Sequence, residues 1–499
     1  MSHHPDEAAP ETRSATVHPR TARLLQGAIV PTLLALAWPN MLVMLAQSST
    51  SLIETWWLSR LGVDALAGMA LVFPVFLMMT MLSAGALGGA IASAVARALG
   101  AGRHEEADAL ALHGLLLNAA LGLATAAPFL LAGRPIYRAM GGTGASLDAA
   151  MAYSNVVFAG NVLLWVMNAF ASMVRGTGNL LMPSVAICVG VAVLVPLSPV
   201  LIFGFGPVPG FGVAGGGYAV VATTALMLAI LAWYVLSGRS VVTLRRTRLQ
   251  WRLARDILRV GTIGTVNTLN TTLIMVLLTS AVGAAAGPDA IAGFGTAARL
   301  EFLLIPLVFG LGAPLVAMVG ANVGAGQPAR ARRIAVTGAS MALVMTGVIG
   351  VAASIWPHEW LTLFGDDPAM LESGTLYLRL VGPAYGFFGF GLTLYFASHG
   401  AGRLEWPPLV GLMRAALAVG GAWCGLLLGG TLTAVFLAIA VSLVAYGGVM
   451  AATLTGSVWS RGARPTGRVT RPVASAAAPT TTRRLEALEA RGRDPLPMK

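Results

Sequence analysis

Chemistry in this chain has to start from Glu54. Thirty residues, from Leu24 to Ile53, pass without a charge before this carboxylate appears with apolar chain on both sides. Gln47, Thr50, Ser51 and Glu54 follow the i, i+3, i+4, i+7 spacing of one helix face, so they form a single polar stripe. Such a stripe on an apolar helix must face protein or a water-filled cavity, and loss of hydration disfavours the charged form of a carboxyl group. A carboxyl so placed can take a proton on one side of a membrane and release it on the other. A bound organic cation favours its ionised form, so proton and cation compete for one group. The alternative is a structural role, as an ion pair with Arg60 or as a carboxylate that snorkels to the outer headgroups.

The second half of the chain carries its own isolated charges, Arg299, Glu301, Arg379 and Arg414. Buried charges need partners, so Glu301 is expected to pair with one or more of these arginines. Arg299, two residues away on a helix, is not its natural neighbour. The set reads first as a structural or gating ion network, with ion coupling through Glu301 as the secondary reading. Asn161 and Asn168, seven apart, and Asn267 and Asn270, three apart, could line a substrate cavity together with Tyr385. The same asparagines could instead hydrogen-bond helix to helix. The many Met and aromatic residues suit a permissive pocket for flat organic cations, and equally suit plain packing.

These side chains need a scaffold that a bilayer can hold. The 499 residues are 56% hydrophobic and 10% charged, with mean hydropathy +0.77, against about 25% charged residues in soluble domains. Apolar runs of about 20 residues, the length that spans a bilayer as a helix, recur along the chain and are continuous rather than alternating. An all-α polytopic membrane protein follows. Turn signals and charges divide it into twelve transmembrane helices, near 33–58, 65–98, 106–132, 148–174, 181–204, 213–237, 256–284, 289–322, 331–355, 372–398, 407–428 and 431–456. Pro39, Pro74, Pro306, Pro314 and Pro383 mark candidate bends. Cys188 and Cys424, both inside apolar runs, read as small buried hydrophobes rather than a disulfide or a metal pair.

Arginines orient the spans. With the N-terminus inside, the inner loops and flanks hold Arg97, Arg103, Arg175, Arg239, Arg245, Arg246, Arg248, Arg252, Arg255, Arg259, Arg330, Arg332, Arg333 and Arg403, and the outer side only Arg60, Arg134 and Arg138. That positive-inside bias places both termini in the cytoplasm. Residues 1–30 read as a cytoplasmic tail ahead of an uncleaved first span, and 239–255 as a basic cytoplasmic linker. The stretch 457–499 reads as a disordered basic tail that could rest on anionic lipid. The net charge of +12 is thereby accounted for without a nucleic-acid partner.

An internal repeat defines the architecture. "GVDALAG" at 62–68 returns as "GPDAIAG" at 287–293, a shift of 225. "GAGRHEEA" at 100–107 returns as "GAGQPARA" at 324–331, and "RGTGNLLMP" at 175–183 as "HGAGRLEWP" at 399–407, both shifted by 224. Two pseudo-symmetric six-helix bundles, 31–238 and 256–456, cross the membrane in the same sense. Such parallel repeats typify secondary transporters, with the site between the halves.

The landmarks resemble the multidrug and toxic compound extrusion (MATE) family of cation antiporters, from about Leu33 to Ala452. They are "LALAWPNMLVMLAQSSTSLIETWWLSRLG" in the first span, "VDALAG" opening the second, "GAG" after the second and eighth, and "RLEFLLIPLVFGLGAPLVAMVGANVGAG" in the eighth. The resemblance implies a twelve-helix exporter of organic cations driven by inward flow of protons or sodium, with Glu54 where the family usually has a coupling aspartate. It also implies an Asn and an Asp four residues apart in the fifth span, where this chain has Leu194 and Ser198, and carboxylates in the seventh and tenth spans, whose matching parts here have none. Proton coupling is therefore expected ahead of sodium.

Other classes are set aside on sequence. There is no GxxxxGK[ST] loop for a nucleotide, and no HExxH, GxSxG or histidine cluster for an enzyme, so no cofactor and no metal are expected. The expected partners are small organic cations or amphipathic drugs and membrane lipid, with the chain working as a monomer in a bacterial inner membrane. A flippase for a lipid-linked substrate is the rival reading. Its pyrophosphate would call for a strongly basic cavity, whereas only three arginines lie deep.

Overall fold

Inside hydrocarbon every backbone polar group must be satisfied within its own segment, which leaves helices as the building blocks. The computed structural model describes residues 19–454 except 208, 246 and 404, and leaves undescribed the side chains of residues 45, 47–52, 55, 59, 63, 288 and 289. Of the expected tails, residues 1–18 and 457–499 lie outside the described residues, whereas Pro19–Gln26 within the first is a helix with Thr21 and Leu24 buried, a correction to the expected tail.

Among the described residues the spans are α1 (Ile29–Ser59), α2 (Asp64–Gly100), α3 (His104–Ala139), α4 (Gly144–Ala159 and Asn161–Gly176, bent by 46°), α5 (Leu181–Phe203), α6 (Val213–Leu236), α7 (Trp251–Gly287), α8 (Ala290–Gly324), α9 (Pro328–Ile355), α10 (Pro368–Ala401), α11 (Trp406–Leu427) and α12 (Leu432–Thr453). At 37 residues, α2 and α7 exceed the roughly 20 needed to cross and must tilt or extend past the hydrocarbon. Leu123, Leu131, Val344 and Val348 stand exposed on their spans, as a lipid-facing surface requires. Cys188 and Cys424 are exposed too, so the expectation of buried cysteines is corrected: they lie on the outer surface of their spans and not in a protein core. Pro383 lies in a 3-10 turn, Gly382–Ala384, that interrupts α10, whereas Pro306 and Pro314 leave the backbone of α8 helical. The linker is shorter than expected, because α7 already begins at Trp251. The preceding segment is tied to α3, with Thr243 donating from N and Oγ1 to Asp108 (2.8 and 2.7 Å) and the Gln250 N–H to His113 Nε2 (2.8 Å).

The two halves repeat in detail. Gly62 and Gly287 have φ of 108° and 79°, Gly102 and Gly326 both have 71°, and Gly178 and Gly402 have 82° and 67°, a backbone region open to glycine at no steric cost. Packing repeats with them. A Cβ on Gly68 would strike Ser146 O and Ala150 N, and one on Gly293 would strike the equivalent Met370 O and Gly374 N. The drop in repeat offset from 225 to 224 also has a structural cause. Met81–Leu87 in α2 is a π-helical turn where α8 continues as α-helix, and a π turn absorbs one extra residue.

The halves meet at the arginine-rich face. There Gly100 packs on Ala321 O and Gly324 on Arg97 O, with no room for a Cβ at either. Residue i touching j while the equivalent of j touches the equivalent of i is the mark of a pseudo-two-fold axis. Arg97 pairs with Asp256 at 2.8 Å, Ser93 Oγ donates to His399 O at 2.6 Å, and Asn322 donates to Leu24 O at 3.0 Å. Contact between the halves also includes Asn40 Nδ2, which donates to Phe309 O at 3.1 Å. Toward the opposite face the cores separate. Ile274, Phe294, Leu304, Tyr377, Tyr385 and Phe436 belong to a buried cluster drawn from the second half alone, while Leu58, Tyr153 and Phe158 belong to the other cluster. Among the described residues the close contacts between the halves therefore gather toward one face, and toward the other each half has buried residues of its own.

Candidate functional site

Both deep carboxylates lie away from the arginine-rich face, where each half has its own buried residues. Glu54 comes five residues before the end of α1, where α4 and α6 pack around it. The Tyr153 hydroxyl on α4 donates to Glu54 Oε1 at 3.2 Å. A Cβ on Gly216 of α6 would lie 3.6 Å from the same oxygen, and Gly215 beside it presses on the Leu201 carbonyl of α5 without room for a Cβ. A run of three glycines, 215–217, thus brings α6 close to the Glu54 site. Arg60 is not the partner of Glu54. Its guanidinium stacks over the Trp56 ring, 4.6 Å from the centroid. Among the described residues Glu54 has a hydroxyl partner and no basic one. The side chains of Gln47, Thr50 and Ser51 lie outside the described residues.

Glu301 on α8 makes a related site with one addition. Tyr377 on α10 donates to Glu301 Oε2 at 3.3 Å, and Arg414 on α11 pairs with Oε1 at 3.1 Å. The Arg414 and Glu301 side chains are only 12% and 18% exposed, so this is a desolvated pair. Arg414 also faces the rings of Phe388 and Tyr446, at 5.1 and 5.7 Å. Tyr385 is fully buried beside Tyr377 and Glu301, part of this cluster rather than of an open cavity. The expected network contracts to a pair, because Arg299 and Arg379 are exposed and Arg299 lies over the Phe364 ring at 5.0 Å.

The asparagines tie helices together. Asn161 donates to Gly122 O (2.8 Å) and Thr125 Oγ1 (3.1 Å), and Asn168 to Ser83 Oγ (3.1 Å), all buried within the first half. Asn270 donates to Gly411 O at 3.0 Å, and Asn267 lies against the same glycine, joining α7 to α11. Ser198 is buried in α5 and Leu194 half-buried. No cluster of His, Cys, Asp or Glu able to hold a metal occurs among the described residues.

Tyr153 and Tyr377 are the residues that reading the sequence missed. They differ by 224 (377 − 153), the repeat offset, so they are equivalent positions of α4 and α10. The carboxylates are not equivalent. Glu54 on α1 matches Thr279 on α7, and Glu301 on α8 matches Phe76 on α2.

Two six-helix halves related by a parallel repeat, packed together at the arginine-rich face and each holding a half-buried carboxylate deep in a span, define a secondary transporter. Residues 39–200 and 265–424 match the MatE family model, and the chain belongs to that family, a transporter and not an enzyme. It is 26% identical over 371 residues, 73% of this chain and 81% of the relative, to a FAD transporter of Shewanella oneidensis. To a probable multidrug resistance protein NorM of Thermotoga maritima it is 25% identical over 381 residues, 76% of this chain and 81% of the other. A solved structure described as the outward-facing conformation of a multidrug resistance MATE family transporter of the MOP superfamily superposes with TM-score 0.80 at 25% identity, covering 88% of this chain and 98% of that one.

Proposed function

We propose that the chain is a secondary active multidrug exporter that exchanges organic cations or amphipathic drugs for protons, by alternating access, in a bacterial plasma membrane. The observation that carries this is the pairing of Glu54, among the described residues, with a tyrosine hydroxyl and no basic group. A hydroxyl donates to an ionised carboxylate and accepts from a protonated one, so both states of Glu54 keep a partner. An arginine there would hold it ionised. The arginine bias supports a cytoplasmic joined face and an outward-opening cleft, with Glu54 near the outer end of its span. Sodium is the second candidate ion, since carboxylates that would complete a sodium site are missing from the matching parts of α7 and α10. One chain carries both halves, which supports function as a monomer in lipid.

A second reading is favoured by the name of the Shewanella relative, a FAD transporter: the cargo would be a larger amphipathic molecule, nucleotide-like or lipid-linked.

The test is uptake of the fluorescent cation ethidium into oriented proteoliposomes under an imposed pH gradient, with sodium-gradient and FAD-loaded arms, for the native chain and Glu54→Gln. Proton-driven accumulation by the native chain, lost in the variant, is expected. Accumulation that survives Glu54→Gln removes Glu54 from the coupling. Movement of FAD with no ethidium transport under either gradient favours the second reading.

A further inference from the structure

We propose that Arg414 is the resident cation of a second, repeat-related tyrosine–carboxylate site, which it keeps electrically silent, so that a single carboxylate carries the coupling. This rests on the proposed role of Glu54 and extends it to a count of ions.

The argument is the comparison of two sites built on equivalent tyrosines. Tyr153 and Tyr377 occupy matching positions of α4 and α10, and each donates a hydroxyl to a deep carboxylate at 3.2 or 3.3 Å. In the first half nothing more completes the site among the described residues. The position equivalent to Arg414 is Gly190 (414 − 224), and a glycine brings no charge. In the second half Tyr377 and Tyr385 from α10 and Arg414 from α11 face Glu301, with Tyr446 of α12 behind the guanidinium. A proton or metal cation arriving at Glu301 would have to displace a covalently tethered one held at 3.1 Å in a desolvated setting, and such pairs are costly to break. Among the described residues the remaining acids sit at helix ends or in loops, so Glu54 alone is free to exchange. One ion per monovalent cation leaves the exchange electroneutral.

The measurement is the balance point of ethidium against an imposed ion gradient, for the full chain in proteoliposomes with the membrane potential clamped, using pH and sodium gradients in parallel. In the native chain a tenfold ion gradient is expected to hold about a tenfold gradient of ethidium, because the two free energies cancel one for one. Arg414→Leu frees Glu301, so the balance point moves to about a hundredfold and uptake becomes sensitive to an imposed potential. Arg414→Lys keeps a cation in place and stays near tenfold. The double variant Glu301→Gln/Arg414→Leu removes both charges and also stays near tenfold, which keeps the test available where Arg414→Leu alone does not fold. An unchanged ratio in folded Arg414→Leu, or loss of ion-driven uptake in the double variant with Glu54 intact, overturns the inference. The reading of Glu54 fails on a different variant, Glu54→Gln, so the two failures are distinguishable.

Discussion

The two halves have the same scaffold and different chemistry. Each presents a tyrosine at the same repeat position to a carboxylate, but the carboxylate comes from the first helix of one bundle and the second helix of the other, and only one is joined by an arginine. Several backbone devices, by contrast, match residue for residue: three pairs of left-handed glycines at turns, Gly62 with Gly287, Gly102 with Gly326 and Gly178 with Gly402, and the glycines that seat α4 on α2 and α10 on α8. Symmetry in this molecule governs how helices pack. Placement of charge breaks the symmetry, and a carrier with one exchangeable carboxylate needs that asymmetry.

The largest effect should come from breaking the pair that exists in one half only. Arg414→Leu leaves Glu301 buried without a counter-charge, and removing one member of a buried pair costs about 3–5 kcal/mol. Thermal unfolding in detergent should show a marked fall for Arg414→Leu and recovery of most of it in Glu301→Gln/Arg414→Leu. Equal stability of the single and double variants would mean that the pair is not held in a desolvated setting. A smaller and more discriminating effect comes from the matched tyrosines. Loss of a hydrogen bond to a charged group costs about 1.5–3 kcal/mol. Tyr377→Phe should spend that loss on stability alone, with the ion-to-cation balance unchanged. Tyr153→Phe should instead lower proton-driven ethidium uptake by about tenfold or more, because its partner must keep a hydrogen bond in both protonation states. Identical behaviour of the two variants would dissolve the functional distinction between the halves.

Much of this was legible in the sequence, for reasons that can be named. Long uncharged runs are read directly as spans, and the repeated glycine motifs were visible because a left-handed turn admits few other residues. Glu54 stood out as a lone charge in a span. What stayed hidden depends on helix phase and neighbours. Of three candidate arginines only Arg414 points to Glu301, while Arg299 and Arg379 turn to the surface, a fact that needs the packing of α8, α10 and α11 together. Tyr153 and Tyr377 carry no charge and sit outside the matched motifs, though their separation by the repeat offset was a usable signal. So were the change of offset within the second span, which is the π turn of α2, and the three successive glycines of α6. The asparagines stay open between the two roles on sequence because spacing alone cannot tell a cavity wall from a helix contact.

The last prediction concerns the place where the halves are alike. Gly100 against Ala321 O and Gly324 against Arg97 O are one contact seen twice across the pseudo-axis, and both close the arginine-rich face. Adding a methyl group at either forces backbones apart, an overpacking cost of about 1–3 kcal/mol. Gly100→Ala and Gly324→Ala should therefore weaken the joined state by similar amounts, read as faster labelling by a thiol reagent of a cysteine placed at Ala96, beside Gly320 on the same seam. The native cysteines are first replaced by alanine. Similar labelling of the two variants would show that closure at this face is shared equally, although the halves differ in charge. A large inequality would mean that the asymmetry of the carboxylate sites extends through the shared core to the gate, and that the two faces are not separable in energy.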